Sequence, residues 1–412
     1  MADRVTVIGW DGSPLGRAAR SALGAATLVA GAGHHLDLPE IPAGAERVRL
    51  GSLDLAARRI AAHRGTAVVL ADGDPGFFGL VRTLRAPEHG LEVEVVPAVS
   101  AVAGAFARAG MPWDDAQVVV AGRRTLRRAV NVCRAHPKVA VLTSPGAGPA
   151  ELALLLDGVH RTFVICEELG TDREQVTVLT SDKAADHTWR DPNVVIVIGG
   201  TPTTPGPAPT GAPTGPAAGW LLGQTPGVGT AATGRGWARA TGIPGAAESP
   251  ELRALQLARL GPRTGDLLWD IGTGSGALAV DAAALGAAVI AVDADARACE
   301  WVDAEARKRG VRLQTVHGRA PHALESLPEP DVVRIGGGGP EVVEAVVERR
   351  PERIVTHAST RDAAEEIGRT LVEHGYAVEC ALLQSVGLDP RTWTEQARSV
   401  VFSLCAERPA AR

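Results

Sequence analysis

The sequence predicts an α/β protein of two modules, the first two-lobed and the second Rossmann-like. Short β-rich runs alternate with helical patterns along most of the chain, which is typical of layers of helix and sheet. Residues 201–219 contain only Thr, Pro, Gly and Ala, a composition that cannot bury enough apolar surface to fold. Glycine-rich turns at 73–79 and 270–276 each follow an apolar run, at the strand end where open α/β sheets bind ligands. We therefore expect domains at 1–200 and 241–409, joined by a linker at 201–240.

Seven β-rich runs and five helical patterns make up the first module. Short runs of Val, Ile and Leu predict strands at Val5–Ile8, Thr66–Ala71, Leu91–Val96, Gln117–Ala121, Lys138–Thr143, Thr162–Cys166 and Asn193–Ile198. Apolar residues at helical spacing predict helices at Leu15–Ala25, Leu53–His63, Ser100–Ala109, Leu126–Ala135 and Pro149–Leu156. The break around Met111-Pro112-Trp113 divides the module into two lobes.

Strands and helices alternate more regularly in the second module. The strands are predicted at Leu267–Ile271, Ala288–Val292, Arg312–Val316, Val332–Ile335 and Arg353–Thr356. The helices are predicted at Glu251–Leu260, Ala277–Leu285, Ala296–Arg309, Pro340–Arg349 and Asp362–His374. Two further β-rich runs, Ala377–Gln384 and Ser399–Ala406, close the module as a hairpin. This order fits a Rossmann-like sheet.

Composition limits the classes of partner. The chain has 412 residues, 45% hydrophobic and 22% charged, with a net charge of −5, which argues against a general nucleic-acid binder. It has 3 lysines beside 39 arginines, so a carboxylate-rich ligand would meet mainly guanidinium groups, which bind carboxylates bidentately. The eleven histidines show no metal-ligand spacing. We expect no metal site and mostly exposed histidines.

The cysteines and the hydropathy predict a cytoplasmic protein. The five cysteines are scattered without CxxC spacing, which is typical of small buried residues in a reducing compartment. The first residues show no signal-peptide pattern, and no apolar stretch approaches about 18 residues. No membrane partner is expected.

The second glycine turn predicts a methyl-donor site. Gly272, Gly274 and Gly276 allow a sharp turn and close approach of a ligand, and Asp293 ends the next strand, where a carboxylate accepts hydrogen bonds from ribose hydroxyls. The acid just before the turn, Asp270, would repel a pyrophosphate and attract the cationic amino-acid end of S-adenosylmethionine. A dinucleotide dehydrogenase is the rival interpretation, because Ala277 completes a GxGxxA pattern, which dinucleotide-binding turns tolerate.

A further glycine run follows the strand at 332–335. Gly336, Gly337, Gly338 and Gly339 cost backbone entropy, which a ligand or close packing should explain. A substrate wall and a plain tight turn are both open interpretations.

The first glycine turn has a different design. Asp74 and Pro75 between glycines make a rigid bend, with Phe77 and Phe78 expected to pack below it. The segment 96–101 ends a strand and opens a helix, so it forms a second backbone turn that could face the first. An ordinary tight turn is the alternative.

These segments resemble known families. The first module resembles the tetrapyrrole methylases in Gly73-Asp74-Pro75, Pro97-Ala98-Val99-Ser100-Ala101, 110–116, Gly122-Arg123 and 167–170. Residues 129–152 are similar to the carbon-5 methyltransferase branch of the cobalamin pathway. The second module resembles that pathway's decarboxylating carbon-15 methyltransferases in Gly242-Ile243-Pro244, Glu251-Leu252-Arg253, the Asp270 turn, Gly318-Arg319-Ala320-Pro321 and Pro330-Asp331.

The resemblance implies two S-adenosylmethionine-dependent methyl transfers to carbons 5 and 15 of a corrin precursor of the precorrin-6B type, with decarboxylation of an acetate arm. It implies a tetrapyrrole substrate and self-association of either module. The implied cofactor-binding residues are Gly9, Gly73, Asp74, Pro75, Ser100 and Ala101 in the first module and Asp270, Gly272, Gly274, Gly276, Asp293, Arg319 and Ala320 in the second.

For the substrate, the implied contacts are Arg123 and the glycines 336–338. Arg334, at a strand end, is a further candidate for binding acidic arms, whereas Arg127 and Arg128 are expected on a solvated helix face. No dedicated nucleophile or metal is required, because methyl transfer depends on placement and exclusion of water.

Three departures from the family pattern leave an alternative open. The loop from Gly9 to Gly12 is several residues short, Ser249-Pro250 replaces a longer approach to the first helix of the second module, and Arg334 stands where an aromatic residue is common. A degenerate relative that binds a tetrapyrrole, or that keeps one activity, is therefore the alternative.

Overall fold

Three sheets with flanking helices form the protein, which confirms the predicted α/β class. The computed structural model describes residues 4–199 and 249–409. The predicted linker 201–240 and the segment Gly242-Ile243-Pro244 lie outside the described residues. No helix among the described residues has both the length and the apolar character that crossing a bilayer requires.

The first lobe is an all-parallel sheet of order β3-β2-β4-β1-β5. Its valine-rich central strands are buried on both faces, as a parallel sheet between helices requires. Its elements are β1 (Val5–Trp10), α1 (Arg17–Gly24), β2 (Leu28–Gly31), α2 (Gly33–Leu36), β3 (Glu46–Arg49), α3 (Leu53–Ala62), β4 (Ala67–Asp72), α4 (Leu80–Leu84), a 3-10 turn (Pro87–His89), β5 (Val93–Val96) and α5 (Ala101–Ala109).

A mixed sheet of order β6-β7-β10-β8-β9 forms the second lobe, and the chain enters it between Ala109 and Gln117, at the break predicted around Met111. Strand β10 runs antiparallel to both of its neighbours. The elements are β6 (Gln117–Val120), α6 (Leu126–Ala135), β7 (Lys138–Leu142), α7 (Pro149–Leu155), β8 (Arg161–Glu167), β9 (Gln175–Thr180), α8 (Ser181–Ala185) and β10 (Asn193–Gly199).

The second domain is a seven-stranded sheet of order β13-β12-β11-β14-β15-β17-β16, parallel through β15 and closed by an antiparallel hairpin. Trp269 and Leu268 of β11 point to opposite faces, each into its own apolar core. The elements are α9 (Pro250–Leu260), β11 (Leu267–Ile271), α10 (Ala277–Ala284), β12 (Ala288–Asp293), α11 (Ala296–Arg309), β13 (Gln314–His317), a 3-10 turn (His322–Leu324), β14 (Val332–Ile335), α12 (Gly339–Glu348), β15 (Arg353–Ala358), α13 (Arg361–Glu373), β16 (Ala377–Leu388) and β17 (Glu395–Glu407).

Sequence patterns missed three strands, and each has a physical reason. Strand β2 has four residues, too few to show a period, and β3 and β9 are edge strands rich in polar residues. The terminal hairpin is also longer than predicted. Four cysteines are buried as expected, whereas Cys380 is exposed on the edge strand β16, which corrects that prediction.

Helix α6 joins the two domains. The buried Asn131 Nδ2 donates to the Gly265 carbonyl oxygen at 3.0 Å and to Asp331 Oδ2 at 3.2 Å. Arg127 Nη2 lies 3.0 Å from Asp331 Oδ1 and donates to the Glu329 carbonyl oxygen at 2.6 Å. Arg127 is exposed as expected, with 51% of its side chain accessible, and its guanidinium also contacts the second domain.

An Asn131→Ala variant tests this contact. We expect the free energy of unfolding to fall by about 1–3 kcal/mol, because the Gly265 carbonyl and the Asp331 carboxylate lose a buried donor. Chemical denaturation followed by circular dichroism measures the change. The matched control is Arg124→Ala, an exposed residue beside the same helix, which should change stability by less than about 0.5 kcal/mol. Equal stability of both variants would show that Asn131 does not hold the interface.

Two candidate cofactor sites at the ends of parallel strands

The first candidate site forms where β1, β4 and β5 end. An added Cβ on Gly9 would overlap the Gly73 carbonyl oxygen and lie 2.8 Å from the Ala98 amide nitrogen and 2.9 Å from Pro75 Cδ. The backbones after the three strands are therefore in direct contact, as the carboxyl edge of a parallel sheet requires.

The turn at Gly73 faces the start of α5. Gly73 has a φ of 63°, and a Cβ there would lie 2.7 Å from the Ala101 amide nitrogen. Asp74 Oδ1 accepts a hydrogen bond from the Gly76 amide at 2.8 Å, which fixes the bend. Ser100 caps α5 by accepting from the Ala103 amide at 3.1 Å. The structure thus brings together the predicted residues Gly9, Gly73, Asp74, Pro75, Ser100 and Ala101.

The phenylalanines of this turn do not pack below it, which corrects the expectation. Phe77 and Phe78 are 37% and 49% exposed, with ring centroids 4.5 Å apart. Phe78 has a φ of 58°, a left-handed conformation that is uncommon for a bulky residue. An apolar pair, with backbone strain at Phe78 alone, is therefore partly exposed beside the candidate site.

The loop after β1 also contacts the second lobe. Gly12 packs against Gly170 so closely that neither position has room for a Cβ. The side chain of the exposed Arg123 lies along Gly146, at the carboxyl ends of β6 and β7. Arg123 thus belongs to the second lobe, apart from the cluster around Gly73.

The second candidate site forms at the carboxyl ends of β11, β12 and β14. Gly272, Gly274 and Gly276 all have positive φ values, of 67°, 57° and 71°. The Gly274 amide donates to Asp293 Oδ2 at 2.8 Å. The carboxylate that is expected to bind ribose hydroxyls therefore also stabilises the turn. A Cβ on Gly276 would overlap the Val302 side chain, so this glycine permits α10 to approach α11.

Asp270 lies under this turn with 0% exposure, so it does not present its carboxylate to a ligand as expected. Its Oδ2 accepts from Thr273 Oγ1 at 2.6 Å, and its Oδ1 lies 3.0 Å from Arg334 Nη1. Burial raises the pKa of Asp270 and lowers that of Arg334, whereas their direct contact opposes both shifts. We interpret the two as a compensated ion pair that supports the turn.

Arg334 is consequently not available to bind an acidic arm, which corrects that expectation. It is 2% exposed, and its Nη1 also donates to the Gly272 carbonyl oxygen at 2.9 Å. The arginine therefore makes a polar connection between β14 and the glycine turn.

The glycine run after β14 lies against the same turn. The Gly336 amide donates to the Ile271 carbonyl oxygen at 2.7 Å, and a Cβ on Gly336 would collide with Arg334. Gly337 and Gly338 are exposed at this edge. Close packing explains Gly336, and a φ of 107° with a Cβ that would lie 2.5 Å from Val342 Cγ2 explains Gly338. Only Gly337 of these three positions has open space around an added Cβ.

Arg319 and Ala320 lie beyond β13, next to Asp293. The Gly318 amide donates to the Asp293 carbonyl oxygen at 2.8 Å, which brings this loop to the glycine turn. Arg319 is exposed, and Ala320 packs against the apolar core. All the predicted residues of the second site therefore lie at one edge of one sheet.

Sequence patterns missed two groups at these edges. Near the first site, Trp10, His34, His35 and Asp72 form a cluster, in which His35 is buried rather than exposed. Near the second, His357 lies 3.2 Å from Gln256 Nε2, and burial together with the Arg334 charge lowers the pKa of His357 to about 4. Neither group has a local sequence signal, because residues far apart in the chain form both. Helix α2 reaches the end of β4, and helix α9 packs against β15.

Comparison with known proteins gives a family for each half. The model of tetrapyrrole (corrin/porphyrin) methylases matches residues 12–185, and the model of the precorrin methyltransferase domain matches residues 245–403. A precorrin-6Y C(5,15)-methyltransferase [decarboxylating] from Sinorhizobium is 34% identical over 86% of this chain and 84% of its own length. A protein of the same name from Mycobacterium tuberculosis is 30% identical over 84% of each chain. A cobalt-precorrin-7 C(5)-methyltransferase from Salmonella typhimurium is 36% identical over 47% of this chain and 98% of its own length.

Proposed function

This chain belongs to the family of the decarboxylating precorrin-6Y C(5,15)-methyltransferases, and on that premise we propose that it methylates a corrin precursor of the precorrin-6B type. It is a C-methyltransferase with a tetrapyrrole methylase domain and a second, precorrin methyltransferase domain. We propose methyl transfer to carbons 5 and 15, with loss of carbon dioxide from an acetate arm.

The observation that carries the proposal is the pair of glycine turns, one at the carboxyl edge of each parallel sheet. We propose that each binds S-adenosylmethionine, the first through Gly9, Gly73, Asp74, Pro75, Ser100 and Ala101, and the second through Gly272, Gly274, Gly276, Asp293, Arg319 and Ala320. Asp270 contributes by holding the second turn. Residues 1–200 are assigned carbon 5 and residues 241–409 carbon 15, with 201–240 as the linker.

Each transfer needs placement more than a special nucleophile. A ring carbon attacks the sulfonium methyl in line, its π electrons form the new C–C bond, and sulfur keeps the electrons of the bond that breaks. Decarboxylation leaves an electron pair that the conjugated ring accepts. The protein has to orient the two reactants and exclude water.

We assign substrate contact to Arg123 and to the glycines at 336–338. Arg123 is an exposed guanidinium at a strand edge of the second lobe, which suits a carboxylate arm. Gly337 and Gly338 are exposed beside the second turn, and an added Cβ on Gly337 would meet no atom within 4 Å. A flat macrocycle can approach a glycine backbone closely, because no side chain intervenes.

The cellular setting and the self-association belong to the same proposal. All five cysteines are free thiols, and burial raises the pKa of Cys166 to about 11, which fits unreactive residues in a reducing cytoplasm.

The outer edge of β16 has no paired strand among the described residues, and Leu382 on it is 60% exposed. A second copy of the chain would cover this edge.

The test is incubation of the full-length protein with precorrin-6B and S-adenosylmethionine carrying a labelled methyl group. We expect mass spectrometry to find a product with two labelled methyl groups and one carboxyl group fewer. Titration calorimetry should give two S-adenosylmethionine sites per chain and no NADH binding. A tetrapyrrole that binds without gaining a methyl group would instead indicate a degenerate relative.

A further inference from the structure

Two histidines and an aspartate meet beside the first glycine turn. His34 Nε2 lies 2.8 Å from Asp72 Oδ1, and His35 Nε2 lies 2.9 Å from the same oxygen. Asp72 is the last residue of β4 and directly precedes Gly73. Residues 38 positions apart thus form one polar cluster at the proposed cofactor site.

Hydrogen bonding fixes where the protons lie in this cluster. The Ala32 amide donates to His35 Nδ1 at 3.2 Å, so that nitrogen carries a lone pair and the ring proton is on Nε2. His35 therefore donates to Asp72. The two histidines hold the pKa of Asp72 well below its usual range, so the carboxylate is ionised and accepts from His34 as well. The Nδ1 of neutral His34 is then left with a lone pair.

The same assignment argues against a metal in this cluster. The three side chains could offer ligand atoms within 4.8 Å of one another. A metal at His35 Nε2 would require a lone pair there, which would move the ring proton to Nδ1 and oppose the Ala32 amide. The cluster is organised instead to direct two N–H groups onto one carboxylate.

His34 is accessible and lies close to the turn. Its side chain is 40% exposed, and its ring stacks on Trp10 at 6.1 Å between centroids. The Trp10 carbonyl oxygen accepts from the Gly73 amide at 2.7 Å. Both Trp10 and Asp72 therefore connect His34 to the backbone of the proposed cofactor turn.

Resting on the proposed function, we infer that His34 Nδ1 accepts the proton that the macrocycle releases during methyl transfer in the first domain. The methyl group adds to a ring carbon and leaves the macrocycle with one positive charge. A C–H bond of the ring then breaks, its electron pair returns to the ring, and the proton forms an N–H bond on His34. Asp72 stabilises the resulting imidazolium, and His35 holds Asp72, so both are positioning residues.

Three charged or titratable groups act on His34, namely Asp72 from β4, His35 from its own helix and Asp37 just beyond it. The hydrogen bond to Asp72 raises the pKa of His34. The rate of carbon-5 transfer should therefore rise with pH through that raised pKa. In Asp72→Asn the rising limb should move to lower pH, because the stabilising carboxylate is lost.

The experiment compares methyl transfer at the two positions in full-length variants. His34→Gln, which cannot accept a proton from carbon, should lower the carbon-5 rate by about 100-fold or more and leave the carbon-15 rate and the two S-adenosylmethionine sites unchanged. Free imidazole should restore at least a tenth of the rate to His34→Ala. The matched control, His89→Gln, lies before β5 at the opposite edge of the sheet and should leave both rates unchanged.

The outcomes separate this inference from the proposed function. No methyl transfer by the unaltered protein would contradict the proposed function itself. Transfer by the unaltered protein and a His34→Gln rate within threefold of it would overturn the inference alone. Retention of a divalent metal that His34→Ala loses would overturn it too, in favour of a metal site.

Discussion

Replacing Arg334 by methionine is expected to destabilise the second domain by about 3–5 kcal/mol, the usual effect of removing one partner of a buried ion pair. Asp270 would remain under the glycine turn with 0% exposure and without the guanidinium 3.0 Å away. The Gly272 carbonyl would lose its 2.9 Å donor at the same time. Cofactor binding at this turn should be lost with it.

The pH dependence of this variant follows from burial. Without Arg334 the buried Asp270 carboxyl has a pKa above its unfolded value, so the folded state binds a proton that the unfolded state releases. The free energy of unfolding of Arg334→Met should therefore fall as pH rises from about 5 to 8. Below about pH 5, its difference from that of the unaltered protein should become smaller. Chemical denaturation across this range measures it.

The matched control is the double variant Asp270→Asn/Arg334→Met, which removes the charge along with its partner. We expect it to be more stable than Arg334→Met at pH 8 and to show little pH dependence between 5 and 8. If both variants are equally stable at pH 8, the ion pair does not support the turn.

A Gly9→Ala substitution is expected to weaken S-adenosylmethionine binding at the first site by about 30- to 150-fold. The added Cβ would overlap the Gly73 carbonyl oxygen and come within 2.8 Å of the Ala98 nitrogen, both of which are backbone atoms. Displacing them costs about 2–3 kcal/mol and moves the proposed binding surface. Titration calorimetry on the full-length variant should find one tight site instead of two.

Gly104→Ala is the control for this substitution. Gly104 lies inside α5, where a Cβ would make an ordinary 3.8 Å contact with Leu169, and alanine favours a helix by about 0.5–1 kcal/mol. It should keep both cofactor sites and gain slightly in stability. Unchanged binding in Gly9→Ala would remove the first turn from the cofactor site.

Local signals account for what the sequence predicts well. The glycines at 272, 274 and 276 need their backbone angles whatever surrounds them, so the turn is visible from a few residues. The same holds for the bend at Asp74, which one carboxylate closes over the Gly76 amide. Elements with a clear period, such as Ala296–Arg309, were predicted to the residue.

Contacts across strands account for what was missed. Asp270 and Arg334 are register partners in β11 and β14, and the partner of an acid 64 residues away cannot be identified without that register. His34 reaches Asp72 because β2 pairs with β4. Arg127 meets Asp331 only because α6 rests on another domain. In each case the sequence shows the residue type, and a contact between distant parts of the chain gives that residue its partner.

The position of α6 has a kinetic consequence. It contacts Gly265 and Asp331, which precede β11 and β14, whereas the second glycine turn lies past the other ends of these strands, about 17 Å away for five residues. The interface between the domains therefore lies at the opposite edge of the seven-stranded sheet from the second glycine turn. On the proposed function, a macrocycle at the second turn lies at the edge of the sheet that faces away from α6, so the interface does not enclose it. The covalent connection would then raise the effective concentration of one site for the product of the other, without a closed channel between them.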